Sequence, residues 1–354
     1  MKNIFKYSLA VFFGGLFFMQ FSLAQTPFRV GTTAFNFLEY GYGSAGTSMG
    51  DAYVSLANDI TSIYWNPAGL AFMERDELNL TMQPWVAGIE SSFFGLGIKL
   101  GSVGTIAVSM ISVNYGDMDV TTLDQQDGTG EIFSSSDYAI SVAFARQITD
   151  WFAFGLAGKY SASQIWHMEA SGLSIDLGAQ VHTGFFSQTG KREDGLNIGM
   201  SISNYGSRVK YSGLDSWYPI DVDPYGNGNY ENVKGEFFME EWELPLLFRI
   251  GISYPFINTK YHKITLAMDA LHPNNNSESI NVGGEYNFTT PTFGSLFLRA
   301  GYKGLLMSES EYGFSAGGGL IYNLMNNVGL KIEYSYRSIG LLGDTYSYGF
   351  GVLF

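Results

Sequence analysis

Residues 345–354 read Thr345-Tyr-Ser-Tyr-Gly-Phe-Gly-Val-Leu-Phe354, an alternating stretch rich in aromatic residues. Tyr346, Tyr348 and Phe350 fall on one face, while serine and glycine dominate the other. A period of two is the spacing of a β-strand with one apolar and one polar face. A final aromatic residue in such a strand is typical of bacterial outer-membrane barrels, whose assembly machinery recognises the last strand. The stretch therefore predicts a membrane β-barrel.

The same alternation runs upstream through most of the chain. Residues 328–337 place Val, Leu, Ile and two Tyr on one face and Lys, Glu, Ser and Arg on the other. Segments of about ten residues match the length that a tilted strand needs to cross the hydrocarbon core. We predict fourteen strands near 78–87, 90–100, 103–114, 136–148, 151–162, 170–183, 195–205, 241–254, 261–270, 277–288, 293–303, 313–322, 327–337 and 345–354.

The polar faces of these segments carry charges of both signs. A dry protein core does not accept such side chains, whereas a wide or plugged barrel lumen does. Fourteen strands also enclose more space than their own side chains fill. The predicted fold is all-β: a transmembrane antiparallel β-barrel of about 14 strands, with a small helical N-terminal hatch in the lumen. The charged residues assigned to the polar faces are Lys99, Asp176, Arg249, Asp269, Glu285, Arg299, Lys303, Lys331, Glu333 and Arg337.

Connection lengths favour one orientation of the barrel. The long connections 115–135 and 206–240 are the third and seventh, both odd-numbered, and most even-numbered connections are short. Long outer loops and short inner turns are the outer-membrane pattern. The even connection 184–194 is a longer exception.

The first 24 residues predict a Sec signal peptide, with Lys2 and Lys6 before the apolar run 7–21 and the small-residue site Ser22-Leu-Ala24. We therefore divide the chain into a signal peptide (1–24), an N-terminal hatch (25–77) and a transmembrane barrel (78–354). The predicted location is the outer membrane, with outer-membrane lipid as a partner. The net charge of −14 disfavours nucleic acid.

The hatch contains short helix signals and many small residues. Asp59 is placed to cap a helix through Ile60 to Tyr64. Asn66-Pro67 predicts an N-cap followed by the first position of a second helix, where proline removes no needed donor. Small residues at Gly46, Gly50, Ala52 and Ala57 allow another backbone to approach closely.

Within this segment the run Gly43-Ser-Ala-Gly-Thr-Ser-Met-Gly-Asp-Ala-Tyr-Val-Ser-Leu-Ala-Asn-Asp59, followed by Tyr64-Trp-Asn-Pro-Ala-Gly-Leu-Ala71, resembles the signature of the PorV/PorQ family of outer-membrane proteins. This family belongs to the wider FadL-like superfamily. Residues 148–160 also resemble the turn-and-strand pattern of the family. The resemblance implies a fourteen-stranded barrel with the hatch inside. The motif residues are Gly46, Gly50, Asp51, Asp59, Tyr64, Trp65, Asn66, Pro67, Ala68 and Gly69.

The resemblance implies two alternative functions. PorV-like members serve type IX secretion: they bind the large translocon barrel, accept cargo through its C-terminal signal domain and shuttle it onward. FadL-like members pass hydrophobic small molecules through the barrel wall. Our leading hypothesis is a docking or shuttling component of type IX secretion. A channel for hydrophobic molecules is the alternative, and a structural barrel with neither role is a third hypothesis.

The sequence predicts no catalytic, cofactor or metal site. Gly41-Tyr-Gly-Ser-Ala-Gly46 fits a dinucleotide-binding pattern but lacks the βαβ context that such a site requires. Residues 221–232 depart from an EF-hand because positions five and twelve are Tyr225 and Asn232 and lack the expected ligands. A calcium site of another kind in this loop is an alternative to a solvated turn. The four histidines are too far apart along the chain for a zinc motif, and there is no cysteine. No catalytic triad or nucleophile elbow is recognisable.

The two long loops combine acidic residues with aromatic ones. Exposed aromatics suit a protein partner, whereas packing over the barrel mouth would bury them. The candidate partner-binding residues are Trp217, Tyr218, Tyr225, Tyr230, Phe237 and Phe238.

Overall fold

A computed structural model describes residues 30–354 except 188, 224, 227–232, 292, 308–309 and 326–327. The predicted signal peptide lies outside these residues. The described part of the chain contains seventeen strands: β1 Glu77–Pro84, β2 Glu90–Lys99, β3 Thr105–Asp119, β4 Ile132–Thr149, β5 Phe152–Ile165, β6 Met168–His182, β7 Asn197–Gly206, β8 Ser212–Gly213, β9 Trp217–Ile220, β10 Val233–Glu236, β11 Leu247–Asn258, β12 His262–Pro273, β13 Ser279–Thr290, β14 Gly294–Leu305, β15 Phe314–Met325, β16 Val328–Ser338 and β17 Asp344–Leu353.

Fourteen of these strands form one closed antiparallel barrel. β1 to β7 and β11 to β17 each pair with the next strand along the chain, with β7 pairing directly with β11. β1 pairs with β17 to complete the ring, with Glu77 opposite Leu353. The predicted barrel class and strand count are therefore confirmed. Because the ring is closed, every wall strand has two partners and no edge is left unpaired in the membrane.

The two faces of the wall follow the alternation in the sequence. On β4, Ile140, Val142 and Phe144 point outward and are 41%, 55% and 42% exposed, whereas Ser141 and Ala143 point into the lumen and are buried. The outward side chains form the surface that contacts lipid. The inward ones are small because another layer of protein packs against them.

That inner layer is the hatch, described from Val30 onward. It contains two short α-helices, Ser44–Ser48 and Ser62–Trp65, and the 3-10 helices Asn36–Glu39 and Pro67–Phe72. Nearly every residue from 41 to 70 is buried, so the core of the molecule lies inside the barrel. In the described part of the chain, no helix is long and apolar enough to cross a membrane.

The hatch crosses the lumen from one end of the barrel to the other. Near its start, the Ala34 backbone N–H donates to the Glu243 carbonyl (3.0 Å) in the connection between β7 and β11. At its end, Asp76 exchanges two backbone hydrogen bonds with Phe354. We call the end that carries the connections 120–131 and 207–246 the long-loop rim. The opposite end, which carries the connection 183–196, is the short-turn rim.

Two predicted boundaries are wrong around the long loops. β3 and β4 extend past a register shift between Asn114 and Asp117, where Gly116 adopts a φ of 79°, so the loop predicted at 115–135 shrinks to 120–131. The connection predicted at 206–240 also contains structure. β8 pairs with β6, and β9 and β10 form a hairpin.

The strand predicted from residue 241 starts instead at Leu247. Pro245 lacks a backbone donor and cannot continue the ladder. Leu244 and Leu247 are both buried, while Ile250 and Ile252 face outward. The alternation read from Trp242 onward therefore changes phase at this proline.

Candidate functional site

Trp65 anchors the centre of the hatch. Its ring packs directly on Gly46, where an added Cβ would lie 2.5 Å from the indole. Its Nε1 donates to the Tyr42 carbonyl at 2.8 Å, and its ring meets Tyr64 edge-on at 5.0 Å between centroids. The Tyr64 hydroxyl donates to the Leu38 carbonyl at 3.0 Å. These contacts fold the two halves of the hatch against each other.

Asn66 links the hatch to the barrel wall. It is the N-cap of the 3-10 helix Pro67–Phe72, and its Oδ1 accepts from the Ala68 N–H at 3.1 Å. Its Nδ2 donates to the carbonyls of Val54 (2.8 Å) and Ala179 (3.1 Å), the latter on β6. One amide side chain therefore holds a helix start, a hatch loop and a strand together.

Asp59 does not cap a helix from Ile60 as the sequence predicted. Its Oδ1 accepts from the N–H (3.0 Å) and hydroxyl (2.5 Å) of Thr61. The helix starts at Ser62, two residues after the predicted start at Ile60. The other carboxylate oxygen of Asp59 accepts from Lys331 Nζ at 2.6 Å. Burial has the largest single effect on Asp59 and raises its pKa, but the charge and hydrogen bond of Lys331, the Thr61 hydrogen bond and the Arg299 charge together hold that pKa below 3.8. The Asp59 carboxylate therefore stabilises a turn and forms an ion pair.

Lys331 is the centre of a buried charge cluster near the short-turn rim. Its ammonium lies 3.1 Å from Glu77 Oε1 and 3.5 Å from Glu333 Oε2, besides Asp59. Glu333 in turn pairs with Arg299 at 2.9 Å. This cluster joins the hatch to β1, β14 and β16. It compensates charges that would be costly to bury alone.

Asp51 forms a second ion cluster nearer the long-loop rim. Its Oδ2 lies 2.7 Å from Lys303 Nζ, and its Oδ1 accepts from Arg337. Arg337 also donates to the Tyr40 carbonyl at 3.0 Å. The hatch is thus fixed to the wall by ion pairs at two heights.

Close backbone approaches fit the hatch into the wall. Gly50 has a φ of 66°, and a Cβ there would lie 2.5 Å from the backbone nitrogen of Tyr302 on β14. Pro67 and Ala68 lie so close to Gly155 on β5 that a Cβ would overlap their backbone. Gly69 is equally confined by the Ala57 carbonyl. Larger residues at Gly50 or Gly155 would push the hatch off the wall, and one at Gly69 would disturb the packing inside the hatch.

The charged residues predicted to line the lumen do so, with one exception. Lys99 is the last residue of β2 and is exposed, and its Nζ donates to the Glu74 carbonyl at 3.1 Å. The contacts of the other charged lumen residues could not be predicted from the sequence, because they depend on which strands pair in the barrel. Asp269, for example, accepts from the N–H groups of Tyr53 (2.8 Å) and Val54 (2.9 Å).

Several buried charged residues were missed by the sequence reasoning, among them Lys159 and Asp137. Lys159 pairs with Asp176 at 2.8 Å, and Asp137 lies in the lumen at 6% exposure. Asp137 keeps the phase of Ala139, Ser141 and Ala143, so the alternation of β4 carried the signal that would have placed it inward.

Glu39, at the end of the first 3-10 helix, is a half-buried acid of the hatch. Burial raises its pKa above the ordinary 4.5, although an Asn275 hydrogen bond and the charges of Lys303 and Arg249 oppose that rise. The protonated form of Glu39 is therefore favoured more in the folded chain than in the unfolded one.

The long-loop rim carries exposed aromatic side chains. Trp217 and Tyr218 on β9 are 44% and 37% exposed. The Tyr218 and Phe237 rings lie 4.5 Å apart between centroids, and Lys234 sits over the Trp217 ring. Tyr230 lies outside the described residues. The remaining predicted residues, Tyr225, Phe237 and Phe238, are 99%, 58% and 88% exposed.

An apolar groove of about 620 Å³ lies on the wall between β11 and β15. Gly284 and Ala300 face each other across β13 and β14 on the outer face, which leaves a depression between larger neighbours. The outward side chains that line it are Leu196, Ile252, Tyr254, Leu266, Met268, Val282, Tyr302 and Phe314.

The described residues include no group of three or more His, Asp or Glu placed to hold a metal ion. Most of the sequence weighed for calcium at 221–232 lies outside them. The histidines are dispersed: His167 lies 2.9 Å from Asp215, His272 lies 3.1 Å from Glu278, and His262 contacts Tyr286.

The chain matches the family model described as type IX secretion system protein PorV over residues 23–228. This match confirms the resemblance seen in the hatch motif. No curated protein matches the chain.

Two solved structures of similar fold are toluene transporters. The Pseudomonas putida toluene transporter TodX is 12% identical, covers 88% of this chain and 97% of its own, and has a TM-score of 0.53. The Ralstonia pickettii toluene transporter TbuX is 11% identical, with the same coverage and a TM-score of 0.52. At such identities the likeness establishes the fold alone.

Proposed function

Because the chain belongs to the family of the type IX secretion system protein PorV, we propose that it is a docking component of type IX protein secretion. In this proposal, a cleaved signal peptide (1–24) directs the chain to the outer membrane. The outer loops and the upper barrel bind a translocon barrel or the C-terminal signal domain of a cargo protein. The hatch (25–77) keeps the lumen closed, and no catalysis is involved.

The observation that carries this proposal is the double fastening of the hatch. Asp59 and Asp51 bind cationic wall residues at two heights of the barrel, and both are buried. Breaking a buried ion pair leaves uncompensated charge, which is strongly unfavourable. A hatch held in this way favours a role for the outer surface of the barrel over one for its lumen.

The hairpin of β9 and β10 supports the docking role. It presents Trp217, Tyr218 and the following Phe237 and Phe238 at the long-loop rim, and large aromatic side chains dominate the binding energy of many protein interfaces. Our placement of this rim outside the cell follows from loop lengths.

Affinity purification from native membranes tests the proposal. A tagged chain extracted in mild detergent should bring down the translocon barrel or secreted proteins with type IX signal domains. The triple variant Trp217→Ala, Phe237→Ser and Phe238→Ser should lose at least part of this co-purification, since it removes aromatic contact area.

A matched control exists at the short-turn rim. Phe185 and Phe186 are 67% and 77% exposed, and their replacement by serine should leave co-purification intact. If the unaltered chain brings down neither translocon nor cargo, the docking role is wrong. An equal loss in both variants would place the contact elsewhere.

The apolar groove favours a second candidate, a channel for hydrophobic small molecules. Its lining of aliphatic and aromatic side chains suits an apolar ligand at the lipid-facing wall. Deleting the gene should then abolish uptake of labelled long-chain fatty acid, and a Gly284→Leu variant, which fills the groove, should not restore it. Unchanged uptake in the deletion strain would eliminate a fatty-acid channel.

A further inference from the structure

A second cavity, of about 510 Å³, opens at the long-loop rim between the start of the hatch and the wall. Its lining comes from three parts of the chain: the hatch, strands β3 to β5, and the connection between β7 and β11. The residues that matter here are Phe35, Tyr40, Tyr115, Asp137, Tyr211 and Trp242.

Asp137 supplies a carboxylate at the buried side of this cavity. The residue is only 6% exposed. Its Oδ2 accepts from the Tyr115 hydroxyl at 2.6 Å, and the Ser163 hydroxyl is also within reach of the carboxylate. Ser163 stands opposite Asp137 in the strand register, and the Ser163 hydroxyl accepts from Tyr211 at 2.8 Å.

No lysine, arginine or histidine is among the described residues that line the cavity. This distinguishes Asp137 from Asp51, Asp59 and Asp176, each of which has a lysine within 2.8 Å. Buried carboxylates in proteins are normally paired with a cation or neutralised. The chain thus supplies an acceptor here without supplying its cation.

The aromatic rings around Asp137 are held in place. Tyr40 stacks on Trp85 with 4.5 Å between ring centroids and 12° between planes. The hydroxyl groups of Tyr115 and Tyr211 are fixed by Asp137 and Ser163. The faces of aromatic rings attract cations, and ring order before binding lowers the entropic cost of binding.

The exposed part of the cavity includes large apolar side chains as well as polar ones, and the part beside Asp137 includes serines. Trp242 and Ile165 are 39% and 41% exposed, whereas Ser135 and Ser163 beside Asp137 are buried. Lysine and arginine side chains match this arrangement, because an apolar stem carries a charged tip. A small hydrated metal ion does not match it.

We infer that this cavity binds the ammonium or guanidinium group of a lysine or arginine side chain presented on an extended peptide. The tip pairs with the Asp137 carboxylate and lies among the tyrosine rings, while the stem packs on Trp242 and Ile165. The inference rests on the proposed function only for the source of the peptide, which would be a secreted protein or a translocon subunit.

Saturation-transfer NMR on the full chain in a non-ionic maltoside detergent tests the inference. The probe is the blocked peptide acetyl-Gly-Ser-Lys-Ser-Gly-amide, and its partner carries norleucine in place of lysine. We expect transfer to the lysine methylenes and at least ten-fold weaker binding of the norleucine peptide. Equal binding of the two peptides would overturn the inference.

Asp137→Asn keeps the shape and removes the charge, and we expect it to weaken lysine-peptide binding at least ten-fold. Asp124→Asn removes an exposed charge from the same rim and should change nothing. Heat-modifiable migration on gels checks that Asp137→Asn forms a barrel. If Asp137→Asn does not form a barrel, Trp242→Leu is tested instead, and we expect it to weaken lysine-peptide binding several-fold. Unchanged lysine-peptide binding in a folded variant would contradict the site.

Two further results separate the ligand sources and the two proposals. If choline competes as well as the lysine peptide, the ligand is a small organic cation and not a side chain, and the assignment is overturned. A chain that prefers the lysine peptide but purifies without translocon or cargo would retain this site and lose the docking role. A chain that purifies with them but shows no lysine preference would lose only this inference.

Discussion

Single residues decide whether the hatch stays in the lumen, and Lys331 illustrates why. Its ammonium neutralises carboxylates from the hatch and from two strands, and its side chain is 6% exposed. In a water-excluded cluster the charges depend on one another, so removing the cation leaves several acids unpaired.

Lys331→Met should lower the free energy of unfolding by about 3–5 kcal/mol, the usual cost of breaking a buried ion pair. Urea titration of the barrel in micelles measures this loss. Lys260→Met removes an exposed turn lysine and should change the midpoint little. A Lys331→Met midpoint equal to that of the unaltered chain would show that the cluster does not stabilise the fold.

Gly155→Ala tests the close fit between hatch and wall. Its methyl group would overlap the backbone of Pro67 and Ala68, and overpacking of this kind typically costs about 1–3 kcal/mol. Gly158→Ala, three residues along the same strand, meets nothing within 4 Å. Proteolysis of the hatch should accelerate in the first variant only. Equal rates would mean that the hatch does not rest on β5 at this point.

Glu39 gives the hatch a pH dependence of known sign. Because burial raises its folded-state pKa above the ordinary 4.5, the folded chain holds this proton more tightly than the unfolded chain. Its contribution to stability is present below pH 4.5 and is lost as pH rises through the folded pKa.

Glu39→Gln should remove this part of the pH dependence. Hydrogen exchange of the hatch, compared at pH 4 and pH 7, should show a smaller loss of protection in the variant than in the unaltered chain. Glu74→Gln, at an exposed hatch acid, is the control. If Glu39→Gln leaves the pH dependence of protection unchanged, that dependence arises from other groups.

At the scale of the strand, the outward face contacts lipid, and the cost of placing a charged side chain there depends on its depth in the membrane. Val142 lies near the middle of β4, and Ile148 lies on the same face near its end. Arginine at the bilayer midplane of a barrel costs about 2–4 kcal/mol and near the interface about 0–1 kcal/mol.

Val142→Arg should therefore destabilise the barrel in lipid vesicles far more than Ile148→Arg. Equilibrium folding into vesicles, followed across a denaturant series, measures both. Equal costs would mean that β4 does not cross the membrane in the assigned position.

The strands were predictable from sequence because a period of two survives in each of them, as in β17. Ends were less predictable, since Pro245 and the register shift at Asn114 act through pairing with other strands. The hatch motif was recognisable, but its partners were not. Asp269, Lys303 and Lys331 are far from it along the chain, and only barrel closure brings them to it.

At the scale of the molecule, the barrel and its hatch form one unit. The wall supplies cations and small residues, and the hatch supplies Asp51, Asp59 and the buried aromatic core. A lumen filled in this way leaves the rim and the outer wall as working surfaces. We propose that the hatch stays in place and that the protein acts by docking.

Planar-bilayer recording of the intact purified chain tests this claim most directly. A variant without residues 31–75, shown to form a barrel by heat-modifiable migration, provides the open-lumen reference. We predict no stable conductance steps from the intact chain and large steps from the shortened one. Steps of similar size from both would show that the hatch leaves the lumen open, and would contradict the account.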